Sequence, residues 1–246
     1  PANVKDDGQT KIGSSTVSPL RIQDVILFVS RTGKQLREFI SPDGFTYEAP
    51  DLAILADHIP AAGIVDMAYQ QHPHSTVWLV LLDGTLVSMT YLRKQNVIAW
   101  ARHQTKGAVE SVAVIPDPGG DRDQLWIAVK RTINGQTKRY IEFMEDLAVE
   151  FTSREWKELH TDCALTYSGT PIQTVTNLGH LEGETVRIIA DGGVHPDRVV
   201  TGGQITLQTP ASEIEVGLPY DGKLVTLEPE PAAAGTTLGA YKQWNE

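Results

Sequence analysis

The stretch Ile64-Val-Asp-Met-Ala-Tyr-Gln-Gln, Val77-Trp-Leu-Val-Leu-Leu, Asp83-Gly84, Thr85-Leu-Val-Ser-Met-Thr-Tyr91 and Asn96-Val-Ile-Ala-Trp100 reads as four short strands joined by tight turns. The pattern then begins again. Val109-Glu-Ser-Val-Ala-Val-Ile leads to Gln124-Leu-Trp-Ile-Ala-Val129, an Asn134-Gly135 turn and Thr137-Lys-Arg-Tyr-Ile-Glu-Phe-Met144. A fainter copy lies upstream in Val25-Ile-Leu-Phe-Val-Ser-Arg, Thr32-Gly33 and Lys34-Gln-Leu-Arg-Glu-Phe39. The aromatic heading each copy falls at Phe28, Trp78 and Trp126, which are 50 and 48 residues apart.

A period of roughly 40 to 50 residues with up to four strands per unit is the sequence signature of propeller blades. The reason is burial. A strand covered on both faces reads as a continuous apolar run, as 77–82 does, whereas a half-wet strand alternates, as Val87, Met89 and Tyr91 do against Ser88 and Thr90. Three hairpins of an ordinary sandwich would give a similar pattern. Two and a half blades cannot close a ring, so the ring reading requires further sheets from elsewhere.

Working outward, residues 1–20 are polar and rich in Gly, Ser and Thr and read as a lead-in. Residues 21–158 form the blade region. Within it Ser41-Pro-Asp-Gly44 is a turn, and Leu52, Leu55, Ala56 and Ile59 fall at helical spacing behind Asp51, with Pro60 as the stop. This predicts a short helix lodged between two blades. Residues 145–160, acidic with Phe151 and Trp156, read as a helical or irregular connector.

From 159 to 230 the texture changes to strict alternation: Val186, Ile188 and Ala190; Ile205 and Leu207; then Ile214, Val216 and Leu218 inward with Glu213 and Glu215 outward. Glycine turns punctuate it, which predicts an inserted antiparallel sandwich or barrel. Residues 231–246 read as a return linker. The fold class expected is therefore all-β: partial propeller blades plus a small inserted β domain.

The chain of 246 residues has 31 acidic against 21 basic side chains, a formal charge of −10. That argues against a binder of nucleic acid or anionic membrane held by phosphate or headgroup contacts. The single Cys163 excludes a disulfide framework and a multi-cysteine metal site. No apolar run approaches the roughly 20 residues that span a bilayer, and no signal peptide is visible, so a soluble product is expected. The start at Pro1 and the end at Lys242-Gln-Trp-Asn-Glu246 suggest an interior piece of a longer polypeptide.

Candidate chemistry is sparse. His72 and His74 could hold zinc, but no third ligand lies at helical or hairpin spacing. His160 and Cys163 offer a base and a thiol without a glycine-framed turn to make an oxyanion hole. Asp117-Pro-Gly-Gly-Asp-Arg-Asp123 is rich in carboxylates yet lacks the spaced ligands of a calcium loop. Glu182 with Glu184, or Asp191 with Asp197, could pair as acid and base of a hydrolase of cell-wall or capsule polysaccharide. Lys130, Arg131, Lys138 and Arg139 make a basic strip, either a solvated strand face or a subunit contact with an acidic neighbour. No catalytic, cofactor or metal residue is assigned.

The run Ile64-Val-Asp-Met-Ala-Tyr-Gln-Gln-x-Pro, Val77-Trp-Leu-Val, Asp83-Gly-Thr-Leu, Thr90-Tyr91, Val97-Ile-Ala-Trp100 and Val109-Glu-Ser-Val-Ala-Val-Ile-Pro116 resembles the tail nozzle, or tail tubular B-type, proteins of short-tailed phages and related prophages. So do Val25-Ile-Leu-Phe-Val-Ser-Arg, Pro50-Asp-Leu, Leu181-Glu-Gly-Glu-Thr-Val, Asp191-Gly, His195-Pro-Asp and Val216-Gly-Leu-Pro-Tyr220. The likeness covers roughly residues 20–230.

It implies a propeller platform with an inserted β domain, assembled as a homo-oligomeric, six-fold ring below the portal and its adaptor. Double-stranded DNA would pass through it during ejection without specific binding. Tail fibres or a tail tip would be further partners, the place would be the virion after assembly in the host bacterial cytoplasm, and no enzymatic activity or cofactor is implied. The rival reading is a module that binds host glycan or a tail fibre, for which exposed aromatics near Tyr167 and Tyr220 would speak.

Overall fold

The computed structural model describes residues 11–44, 46–120, 122–145 and 159–222. Those residues form an all-β structure of four antiparallel sheets, and none of their helices is long and apolar enough to cross a membrane. The first sheet comprises β1 (Leu20–Ile22), β2 (Val25–Val29) and β3 (Leu36–Phe39) in that order. Residues 48–52 add a fourth line to it. Bridges join Arg37 to Asp51 and Ile40 to Glu48, and Leu52 N–H donates to Leu36 O at 2.9 Å.

The second sheet is an up-and-down meander of β4 (Ile64–Gln70), β5 (Thr76–Leu81), β6 (Leu86–Leu92) and β7 (Val97–His103). The third repeats it with β8 (Ala108–Pro116), β9 (Asp123–Ile133) and β10 (Gln136–Met144). Asn134 and Gly135, at φ 49° and 71°, both take the left-handed conformation that a two-residue hairpin turn needs.

These three sheets stack face to face. Between the first and second, Val25, Leu27, Val29 and Leu36 meet Val77, Leu79, Leu81 and Met89. Between the second and third, Trp78, Val80 and Leu86 meet Val109, Val112, Leu125, Ile127 and Val129. The middle sheet is therefore covered on both sides, which is why β5 reads as an unbroken apolar run. β4 lies against β1 on one side and β8 on the other, so the sheets come closest at their first strands. The last strand of the middle sheet, β7, is mostly exposed.

Polar clasps fix the second seam. The Asp66 carboxylate accepts from Ser111 Oγ and Val112 N–H at 2.7 and 3.0 Å, and Asp123 caps the N–H groups of Gln71 and His72 at 2.9 Å. Trp78 Nε1 donates to Gln70 Oε1, whose amide in turn reaches Asp123 O.

Gly84 sets the spacing of this seam. It sits at φ 84°, and a Cβ there would lie 2.5 Å from Ala108 Cβ. Its carbonyl accepts from Val109 N–H at 2.9 Å.

Several expectations need correction. The aromatics do not mark equivalent positions in all three copies. Trp78 and Trp126 do, each facing an alanine of the preceding strand in register, Ala68 and Ala113. Phe28, by contrast, lies on the face of β2 opposite to Leu27 and Val29, away from the middle sheet. The copies are offset by one residue there, and in a strand one residue exchanges the faces.

The helix expected at 52–59 is a chain of turns. Asp51 Oδ1 accepts from Ala53 N–H at 2.9 Å as an Asx turn, and only 60–62 form a 3-10 turn. Leu52 reaches the core, but Leu55 is 95% exposed. The segment does lie over the first seam, where Trp100 Nε1 donates to Leu52 O at 3.3 Å and Arg102 donates to His58 O at 2.6 Å. The lead-in is partly built into the first sheet, since Ser15 N–H donates to Val29 O and β1 starts at Leu20. Of the connector, residues 146–158 lie outside the described residues, as do 223–246.

The fourth sheet contains β11 (Asp162–Val175), β12 (Thr185–Ala190), β13 (Gly193–Val199) and β14 (Ile205–Leu218), in the order β11-β14-β12-β13. It has its own core of Val186, Ile188, Ile205, Leu207, Ile214 and Val216, with Leu178 and Leu181 from the preceding turn. Neither a closed barrel nor a second facing sheet is formed among the described residues. Register shifts in the β11–β14 pair, between Asp162 and Leu165 and on either side of Ile172, let one bulged sheet cover a core with the help of that turn.

Candidate functional site

Arg131 joins the sheet stack to the fourth sheet. It sits on β9 with its side chain wholly buried, and it was expected on a basic strip. Nε and Nη2 form a fork on Glu142 of β10 at 2.7 and 2.6 Å. Nη1 donates to Lys106 O and Thr105 Oγ1 at 2.8 and 2.7 Å and lies 3.4 Å from Asp162 Oδ2 at the start of β11. Thr105 Oγ1 also donates to Asp162, and Lys106 Nζ pairs with Glu184 before β12. Burial alone would favour loss of the guanidinium charge, but Glu142 and Asp162 outweigh it and hold the group charged. Arg131 is thus neither on a solvated face nor in a subunit contact, because its acidic partners Glu142 and Asp162 lie in its own chain.

The other basic residues of the strip behave differently. Arg139 is exposed and forks onto Glu110 at 2.6 and 3.2 Å, with Lys130 3.8 Å from the same carboxylate. Lys138 is exposed.

Cys163 packs at this joint, its Sγ 3.5 Å from Glu142 Oε1. Burial and then the Glu142 charge push its thiol up to about 12, with Arg131 opposing, so at neutral pH it is a protonated thiol and a poor nucleophile. His160 turns to Glu215, its Nδ1 3.4 Å from Oε2, while the same carboxylate accepts from His160 N–H at 2.7 Å and Thr161 Oγ1 at 2.6 Å. Glu215, expected to face solvent, is therefore buried.

The remaining acidic candidates hold turns. Glu182 accepts from the N–H groups of Gly202 and Gly203 at 2.9 and 2.7 Å, and Asp191 from those of Ser212 and Glu213 at 3.0 and 2.9 Å. Asp197 lies on β13. Asp117 caps Gly119 at 3.0 Å in the β8–β9 turn, and His72 is bound through its backbone to Asp123. Among the described residues no three His, Cys, Asp or Glu side chains converge as a metal-holding group. His195 is buried, with Nε2 accepting from Gln208 N–H at 2.9 Å and Nδ1 donating to Pro196 O at 2.7 Å. Tyr220 is exposed, whereas Tyr167 packs on the fourth-sheet core and donates to Thr170 O at 2.7 Å.

Among the described residues, exposed apolar side chains cluster on both end faces of the stack. On the far side of the third sheet Trp126 packs against Phe143 with ring centroids 5.5 Å apart, and Ile141 and Ile115 are exposed beside them. On the near side of the first sheet Ile26, Phe28 and Phe39 line a groove of about 290 Å³ with Val17 and Pro19, and Phe39 stacks on Tyr47 at 5.0 Å. The sequence named Phe28 and Trp126 as repeat markers. It did not signal that these two residues stand on the outer faces, because that depends on which face the middle sheet covers.

No protein-family model matches this chain, and no curated protein matches its sequence.

Proposed function

We propose that this chain is a structural protein of a phage tail nozzle, part of a ring that attaches to the portal adaptor and conducts DNA during ejection. One observation supports the reading: three antiparallel sheets pack face to face, closest at their first strands, and among the described residues both end faces carry exposed apolar side chains. Such a stack gains stability from another sheet at each end, and repeated addition of wedges around an axis closes a ring. The sequence resemblance to nozzle proteins points the same way.

The charge and the candidate residues are compatible with this role. A net charge of −10 disfavours a grip on phosphates, which suits a passage for DNA. The carboxylates Asp66, Asp123, Glu142, Glu182, Asp191 and Glu215 are each committed to backbone, Ser, Thr or Arg donors, so their chemistry is spent on holding the fold. The buried Arg131 joint fixes the fourth sheet to the stack, as a platform that presents a docking module to an adaptor or fibre requires. Labelling of purified particles with an antibody against this chain tests the reading. Label on the tail below the portal is expected, and label confined to another part of the particle, or none, overturns it.

A further inference from the structure

The stack and the fourth sheet have separate apolar cores. The fourth sheet packs Val175, Leu181, Ile188, Leu207, Ile214 and Val216 among themselves, and the clusters of the stack contain no residue beyond Met144. Among the described residues no backbone hydrogen bond joins the two units. The hydrogen bonds and ion pairs that do join them end on Asp162 at the start of β11, on its neighbour Cys163, and on Glu184 before β12. Units joined without a large apolar interface move relative to one another by default.

The receiving surface on the stack is complete in itself. Gly107 brings the loop 104–107 so close to β9 that a Cβ would lie 2.9 Å from Lys130 O and 3.0 Å from Arg131 Cγ. That places Lys106 O and Thr105 Oγ1 2.8 and 2.7 Å from Arg131 Nη1, while Glu142 accepts from Nε and Nη2. Arg131 therefore keeps all of these partners when Asp162, at 3.4 Å, withdraws. On the other side Asp162 and Glu184 are 25% and 16% exposed, and withdrawal returns both carboxylates to water. Neither side is left with a buried unpaired charge, the usual reason that breaking a buried ion pair is costly. Lys106, which pairs with Glu184, is 55% exposed, so its attraction is screened by water and salt.

We propose that Asp162 and Glu184 are the two prongs of a releasable latch, and that the fourth sheet undocks from the stack there as a folded unit. Asp162 also sets the entry into β11: its Oδ1 accepts from Cys163 N–H at 3.0 Å, with Cys163 in the left-handed region at φ 52°. The same carboxylate thus links the chain path of the fourth sheet to its seat on the stack. The latch acts within one chain and goes beyond the nozzle reading, so its failure leaves that reading where it was.

Cys163, the single cysteine of the chain, reports on the latch, because its Sγ faces Glu142 of the stack at 3.5 Å and loses that cover on undocking. The test follows alkylation of the whole chain by iodoacetamide, with small-angle X-ray scattering and far-ultraviolet circular dichroism. It compares wild type, Lys106→Glu, and the charge swap of Lys106→Glu with Glu184→Lys. Lys106→Glu sets two carboxylates against each other and is expected to raise the alkylation rate about tenfold or more and enlarge the radius of gyration, with the strand spectrum of wild type kept. The swap restores an opposite pair and is expected to return both readings to those of wild type. A Lys106→Glu variant that labels no faster overturns the proposal. So does faster labelling with loss of the strand spectrum, since that is unfolding and not undocking, and so does a swap that labels like the single variant.

Discussion

Trp78 and Trp126 occupy the same place in successive sheets, each opposite an alanine of the preceding strand, yet Trp78 is covered by the next sheet and, among the described residues, Trp126 is not. Replacing Trp78 with alanine removes an aromatic from a closed seam together with its indole hydrogen bond to Gln70 Oε1, and is expected to cost about 3–5 kcal/mol. Trp126→Ala is expected to cost much less. Urea denaturation of both variants checks the contrast, and equal losses would mean that the outer face is covered within one chain.

The Arg131 joint gives a second test. Arg131→Ala leaves Glu142 and Asp162 partly buried without their cation, and loss of one partner of a buried pair costs about 3–5 kcal/mol. Arg139→Ala breaks an exposed fork on Glu110 and is expected to leave the urea midpoint unchanged. Chemical denaturation of the two variants side by side separates a structural joint from a solvated strip.

Much of the stack is legible in the amino-acid pattern, and the failures have common causes. β6 alternates and β5 does not, which states their burial directly. β2 is Val-Ile-Leu-Phe-Val, apolar at every position, so nothing local says which face is inward and the largest side chain was a false marker. Arg131 and Glu215 looked exposed because their partners are distant in sequence, 31 residues away at Asp162 and 54 at Thr161. The spacing of Leu52, Leu55, Ala56 and Ile59 imitates a helix, but the Asx turn at Asp51 and the pull of Leu52 into the first seam break it.

His103 and Cys163 each give stability a pH dependence of its own. Burial against Trp78 holds the His103 imidazole below its ordinary 6.5, so the unfolded chain takes up a proton there first. Its contribution to stability is present above that value and is lost as pH falls below it, and His103→Asn is expected to flatten this part of a thermal-melt profile. Cys163 has the opposite sense. Its folded value of about 12 stands above the ordinary 9.0, so its contribution is present below pH 9 and fades as pH rises from there toward 12. Cys163→Ala should remove that decline, and the native thiol should resist alkylation at pH 8 until the chain is unfolded.

Gly84 tests the spacing of the second seam. Gly84→Ala meets both a left-handed backbone, a cost of about 1–2 kcal/mol, and Ala108 at 2.5 Å. Gly135→Ala has a similar φ of 71° with no atom within 4 Å, and so carries only the backbone cost. Thermal denaturation should rank Gly84→Ala clearly below Gly135→Ala, and equal melting temperatures would mean that the seam gives way freely.

The account depends on the apolar ends of the stack being sites for further β-sheets in a closed annulus. Electron cryomicroscopy of the assembled particle at side-chain resolution measures this directly. The account predicts Trp126, Ile141 and Phe143 buried beneath another antiparallel sheet within a ring below the portal. Those three side chains facing solvent in the assembled state, or the sheets opening away from any ring, would contradict it.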